Sequence, residues 1–282
     1  VQTLRRQALR GVAAGEPLPA PWPIMQRAGA LIRRDSVSMV GGRPGSMKTM
    51  FILNMMHQMK VPTLYFSSDS GVHTVATRML SMLTGVDSEE TEGWLKTDPV
   101  KCARILGEVD YVKWCFESNP SMETLWDEAD AFAEIHGAYP KLVVVDILMD
   151  FDHEGAPESY WRAMGALKEF ARETEAAVLI AHHTSIGVDG NPVQPESAIM
   201  GKATQSQSLI INVAVNATKD RFFFAVIKNR HGRSDSSGNT YYTLAVSPDV
   251  CRISEIPEAP QPSDVPILFR DGPSVPEGQK IR

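Results

Sequence analysis

The chain has 282 residues, 43% of them apolar, and a formal net charge of -6. That is length for one large α/β domain or two small ones, and it excludes a global basic footprint for nucleic acid, so any such contact must be local. Cys102, Cys115 and Cys251 are odd in number and lack metal-ligand spacing, which points to a reducing compartment, and no apolar run reaches the ~18 residues of a membrane span. No signal peptide is visible, so the expected location is the cytoplasm, with no membrane partner.

Residues 1 to 15 read as a short basic helix with Arg5, Arg6 and Arg10. A linker with Pro17, Pro19, Pro21 and Pro23 follows, making 1 to 21 a separate arm that either frays or docks on a neighbour. Val37, Met39 and Val40 form a short buried strand, and a glycine-rich turn leads to an apolar helix opening at Lys48. A second buried strand over 62 to 69 ends in polar residues. Helices are expected over 73 to 83 and, in two short pieces, over 88 to 107. A strand over 111 to 116 precedes a helix capped by Ser121 and ended by Gly137 and Pro140. The apolar strand LVVVD closes on Asp146. Pro157 starts an amphipathic helix with Trp161, Met164, Leu167 and Ala171 on one face, and a strand then runs into His182-His183-Thr184-Ser185. Alternating strands and helices imply a mostly parallel sheet. After a polar loop over 186 to 202, strands over 209 to 215, 222 to 228 and 241 to 246 read as an antiparallel extension. The ATPase-like domain is thus expected over 22 to 255. The tail 256 to 282 is rich in proline and charge, and reads as disordered or as a docking strap.

The chain is organised around SVSMVGGRPGSMKTMF, the strand–loop–helix arrangement of a P-loop. Gly42, Arg43, Pro44, Gly45, Ser46, Met47, Lys48 and Thr49 are the candidate phosphate cradle. Backbone N–H groups curl around a phosphate, Lys48 reaches the β- and γ-phosphates, and the Thr49 hydroxyl ligates Mg²⁺. The pattern would place glycine at position 47, where this chain has Met47. Asp146 has the place of a Walker B carboxylate, which holds Mg²⁺ directly or through water. Asp69, at the end of the second strand, can orient or deprotonate the attacking water; the plain alternative is a turn-forming aspartate. Of the histidine pair, one faces the nucleotide because strand residues alternate, and His183 is the preferred candidate to sense the γ-phosphate. Lys228 and Arg230 in KNRHG are either a solvated turn or a pair offered to the nucleotide of an adjacent subunit.

Together these residues resemble the RecA-like ring helicases, specifically the ATPase domain of the DnaB helicases and the RepA-type plasmid helicases. The resemblance spans about residues 22 to 254. It rests on GGRPGSMKT, TLYFSSDS, VVVDIL, AHHTS and KNRHG. Asp69 stands where the family has its catalytic glutamate, and AHHTS is similar to the RepA-type segment. The resemblance implies a P-loop ATPase using ATP and Mg²⁺. It also implies a homo-oligomeric ring, usually a hexamer, around single-stranded DNA, with Lys228 and Arg230 acting across a subunit interface. DNA loops are then expected at about 150 to 160 and 186 to 204, with Gly201 and Lys202 as phosphate contacts. The resulting expectation is a replicative DNA helicase of a phage or plasmid, acting in a bacterial host with a separate primase or loader. The alternatives are a RecA-like annealing ATPase that binds single-stranded DNA without unwinding, and a nucleotide-gated binding ring.

Overall fold

The computed structural model describes residues 15–151, 157–185, 192–202 and 204–256, with only the backbone of 157–159 and 202. The basic arm up to residue 14, residues 152–156 of the first expected DNA loop, residues 186–191 of the polar loop, residue 203, the Lys202 side chain and the tail from 257 lie outside the described residues.

A nine-stranded sheet forms the centre. In chain order its strands are β1 (Ser36–Gly42), β2 (Thr63–Ser67), β3 (Val112–Cys115), β4 (Leu142–Asp146), β5 (Ala177–His183), β6 (Leu209–Val215), β7 (Arg221–Asn229), β8 (Tyr242–Ser247) and β9 (Arg252–Ser254). The spatial order is β3-β2-β4-β5-β1-β6-β7-β8-β9. Strands from β3 through β6 pair in parallel; β7, β8 and β9 are added antiparallel. The helices are α1 (Pro23–Arg27), α2 (Lys48–Met59), α3 (Val72–Thr84), α4 (Ser88–Thr97), α5 (Pro99–Leu106), α6 (Met122–His136) and α7 (Pro157–Thr174). This is the mostly parallel α/β fold with an antiparallel extension that the strand–helix alternation implies.

Two cores sandwich the sheet, as the period of two along each strand requires. Val40, Val144, Leu179 and Ile211 face one core with α2 and α3, while Val37, Val143, Val145 and Ile180 face the other with α6 and α7. Helix ends follow their sequence signals. Ser121 Oγ accepts from the Thr124 N–H at 3.1 Å to start α6, and Gly137 closes it at a φ of 76°.

Two elements differ from the sequence expectation. The proline-rich stretch carries α1, and its upstream part is packed: Leu18 and Trp22 are buried, and the Leu18 N–H donates to Ile32 O at 2.8 Å. Trp22 stacks on Phe51 of α2, which in turn stacks on Phe222. β9 is too short for a period to show. Asn54 of α2 fixes it, donating to Cys251 O at 2.9 Å and accepting from the Ile253 N–H at 3.0 Å.

At the sheet centre, β1 runs between β5 and β6, and a Cβ on Gly41 would collide with Asn212 Oδ1. The buried Asn212 amide therefore occupies the space that a side chain at 41 would need. We expect Gly41→Ala to lower the unfolding free energy by about 1–3 kcal/mol through overpacking. An Asn212→Ala background should remove most of that penalty. Thermal unfolding of the single and double variants checks it, and equal penalties in both backgrounds would rule this contact out as the cause.

Candidate functional site

Four neighbouring strands, β2, β4, β5 and β1, are mutually parallel, so their C-terminal ends meet along one edge. Asp69 follows β2, Asp146 ends β4, His183 ends β5, and Lys48 opens the helix after β1. Sheet order thus gathers groups far apart in sequence into the crevice where α/β sheets bind ligands.

Lys48 is buried, and its ammonium donates to Gly42 O at 3.1 Å, Arg43 O at 3.2 Å and His183 Nδ1 at 3.1 Å. An ammonium has three donors, and all three are used. Burial pushes its pKa down to about 8, with the carboxylates of Asp146 and Asp69 opposing the shift. His183 is held below the usual histidine range by burial and by the Lys48 charge. It therefore accepts through Nδ1 as a neutral ring. Its register partner on β1 is Gly42, and the Thr184 N–H donates to Gly42 O at 3.1 Å, so the strand ends are stitched together.

Asp146 is buried, and burial raises its pKa; hydrogen bonds from Tyr65 and Thr49 counter the shift. The Tyr65 hydroxyl donates to Asp146 Oδ2 at 2.8 Å. Carboxylate and Thr49 hydroxyl therefore converge beside Lys48. Asp69 is exposed at the rim, close enough to act electrostatically on Lys48, Asp146 and His183.

The P-loop turn holds two left-handed residues, Gly45 at a φ of 76° and Met47 at a φ of 64° and ψ of 32°. Met47 thus adopts the backbone conformation of the glycine that the pattern calls for, at a cost of about 1–2 kcal/mol. Its carbonyl still accepts from the Phe51 N–H at 2.9 Å, so α2 begins in place.

His182 points to the other face of β5. It is fully buried, and burial lowers its pKa to about 4. Its Nε2–H donates to Met200 O at 2.9 Å, in the turn that holds Gly201 and Lys202. The same loop is tied at a second place, where Asn212 Nδ2 donates to Gln194 O at 2.7 Å. Pro192 and Gln194 face Arg43, Pro44 and Ser46 across a cavity of about 170 Å³.

Lys228 and Arg230 stand elsewhere. β7 runs antiparallel to β6, so Asn229 pairs with Leu209, which pairs with Ser38. That level is four residues back from Gly42 along β1, or about 13 Å. Lys228 Nζ donates to Thr204 O, and Arg230 to Gln205 O at 2.8 Å. Within one chain these two cations lie toward the far edge of the sheet from Lys48.

Tyr65 and Asn212 belong to the site although neither was singled out in the sequence, Tyr65 lying within the TLYFSSDS segment and Asn212 in no quoted motif. Both are polar residues inside apolar strands, and that interruption of TLYFS and LIINVAV is the signal that could have found them.

The left-handed backbone at 47 gives a direct test. Met47→Gly should leave nucleotide affinity within about threefold, because the turn already has glycine geometry. Met47→Val should destabilise the protein by about 1–2 kcal/mol, since a β-branched residue tolerates this region worst. Thermal unfolding and nucleotide titration of both variants decide it; a Met47→Val protein with wild-type stability would show that the conformation is not constrained.

Known proteins resemble this chain in sequence and in fold. Residues 28–236 match the model of the DnaB-like helicase C terminal domain. The gene 65 protein of Mycobacterium phage L5 is 30% identical over 263 residues, covering 89% of this chain and 97% of that protein. Its namesake in Mycobacterium phage D29 is 29% identical over 223 residues, covering 75% and 96%. Among solved structures, an isolated ATPase domain aligns with a TM-score of 0.74 at 15% identity, covering 90% of this chain and 96% of that one. A DnaB-like replicative helicase, described with its interactions with primase, gives 0.72 at 15% identity, covering 89% and 64%. The RadB recombinase aligns at 0.56 with 11% identity, covering 83% and 97%. At such identities the structural likeness speaks for the RecA-like fold. The family match spans most of the chain, so this protein belongs to the DnaB-like helicase C-terminal domain family and is a P-loop ATPase of the replicative helicase class.

Proposed function

We propose that the protein is the ATPase motor of a replicative DNA helicase, working as a ring of identical subunits that translocates on single-stranded DNA in the cytoplasm of a bacterial host. The observation that carries this reading is the division of the cations: Lys48 stands among the strand ends, and Lys228 and Arg230 lie toward the opposite sheet edge. A phosphate on Lys48 is out of reach of the same chain's Arg230, so a neighbouring copy must supply the finger. A ring, hexameric in the related helicases, closes such a head-to-tail contact.

In the proposed site the backbone of residues 42–47 cradles the phosphates of ATP. Lys48 exchanges its bonds to Gly42 O, Arg43 O and His183 for bonds to phosphate oxygens. Asp146 and Thr49 offer hard oxygen donors side by side, the set that suits Mg²⁺, and the ion would neutralise phosphate charge there. Asp69 orients the attacking water from the rim, and His183, released by Lys48, reads the γ-phosphate. Its strand carries that change to the Met200–Lys202 turn, where Gly201 and Lys202 are the candidate DNA phosphate contacts. A primase or loader would be a separate chain, in line with the primase interactions named for the similar helicase structure. The annealing-ATPase alternative has a core of the same fold, as the RadB likeness illustrates.

Subunit mixing tests the shared site. Lys48→Ala and Arg230→Ala proteins should each lose ATP hydrolysis stimulated by single-stranded DNA, and mixing them should restore part of it, because some interfaces then carry both wild-type groups. No recovery from mixed and reassembled subunits would sink the trans arrangement. Absence of DNA stimulation in the wild type would sink the motor reading, and stimulation without unwinding of a forked duplex would favour annealing.

The pH dependence follows from Lys48. Its pKa in the free protein is about 8, and bound phosphate favours the charged form and draws it up. Nucleotide affinity should be flat below pH 8 and fall by up to about tenfold per pH unit above it, with binding near pH 8 accompanied by proton uptake. Titrations with a fluorescent nucleotide from pH 7 to pH 9.5 check this. A flat profile across that range would show that Lys48 is not the titrating group.

A further inference from the structure

Trp161 breaks the pattern of its own helix. Met164, Leu167 and Ala171 of α7 are buried, as their spacing predicts, but Trp161 is 56% exposed. An exposed indole is ordinarily free to turn, yet this one is fixed: its Nε1–H donates to Gly201 O at 3.1 Å. The turn it holds is fixed as well. A Cβ on Gly201 would lie 3.1 Å from the Tyr160 ring, and Gly201 has a φ of 66°, so glycine lets the chain rest against Tyr160 without strain. Tyr160 meets His182 edge to face at 5.6 Å, and His182 holds Met200 O. Met200 is itself 39% exposed. The result is an exposed indole held against the Met200–Lys202 turn.

We propose that Trp161 is a base-stacking contact for single-stranded DNA, seated on the Met200–Lys202 turn, so that the strand is gripped by its bases as well as its phosphates. The inference rests on the single-stranded DNA reading of this protein and adds a contact of a different kind to it. Three observations favour nucleic-acid bases as the occupant. The indole rests on the turn that carries Gly201 and Lys202. It presents an aromatic face, which stacks on any base without reading sequence. The indole is immobilised beforehand, so stacking sacrifices little rotamer freedom. Through His182 the platform is also joined to the strand that ends at His183, so a base stacked on it would move with the sensor.

The test compares affinity for an oligothymidylate with that for an abasic phosphodiester tract of equal length and charge, using the full chain with a non-hydrolysable ATP analogue. The wild type should prefer the oligothymidylate. Trp161→Gln, which can still donate to Gly201 O but has no π face, should weaken oligothymidylate binding about tenfold and leave abasic binding and the salt dependence unchanged, because the turn and its phosphate contacts persist. Trp161→Phe should keep most of the preference. Retention of the wild-type preference in Trp161→Gln would overturn the proposal while leaving the single-stranded DNA reading intact. A wild type that binds neither oligonucleotide would overturn both.

Discussion

The Lys48 ammonium is the interaction on which the rest of the site depends. It is buried among three acceptors, two of them carbonyls of its own loop and the third a ring nitrogen from β5. A buried ammonium with fewer partners would be strongly disfavoured, so the three bonds hold the loop closed around it. They also make a triphosphate a competitor. Phosphate oxygens can replace all three acceptors at once with stronger, charge-assisted bonds, and His183 is then left with a lone pair to satisfy. The same contact that orders the loop would thus, in the proposed site, couple phosphate binding to a change at the end of β5.

Strand order makes that coupling local. β5 lies between β4 and β1, so the end that carries the histidine pair is flanked by Asp146 on one side and the P-loop on the other. The pair divides its work by the alternation of a strand. His183 faces Lys48, and His182, one residue away, faces the opposite layer and holds Met200 O. A shift of the β5 end is therefore felt on both faces of the sheet. Asn212, wedged against Gly41 and bonded to Gln194 O, gives the loop a second attachment on β6.

Much of this was legible in the chain because it is written in local patterns. Strand–turn–helix punctuation marks the P-loop, an apolar run closing on an acid marks β4, and the period of α6 and its Ser121 cap mark a helix. What stayed hidden depends on contacts between distant segments. β9 is three residues long and exists because Asn54 of α2 holds it. Leu18 reads as linker from the surrounding prolines, yet it is buried, next to Trp22 stacked on Phe51. Trp161 fits the apolar face of α7 by spacing, but the helix overhangs its core there, and periodicity cannot tell where a neighbour stops. Met47 breaks the glycine pattern by residue type but not by conformation, because φ is set by the turn as a whole.

The Met47 exception bears on how much a P-loop needs its last glycine. Glycine allows the left-handed backbone without strain, but the cradle is formed by N–H directions, and those depend on φ and ψ rather than on the side chain. A side chain can stand there if its strain is offset, and Met47 packs against the core beside α2. Methionine suits the role, since it is unbranched at Cβ and flexible enough to find room. The sequence departure is thus compatible with an intact phosphate cradle. The shorter carboxylate at position 69 is a different matter: Asp69 sits exposed on the rim, and in the proposed mechanism its reach to an attacking water would come from closure of a neighbouring subunit over the site or from movement of the turn that follows β2. Where subunit closure is the route, catalysis in the proposed ring would be gated by assembly as well as by nucleotide binding.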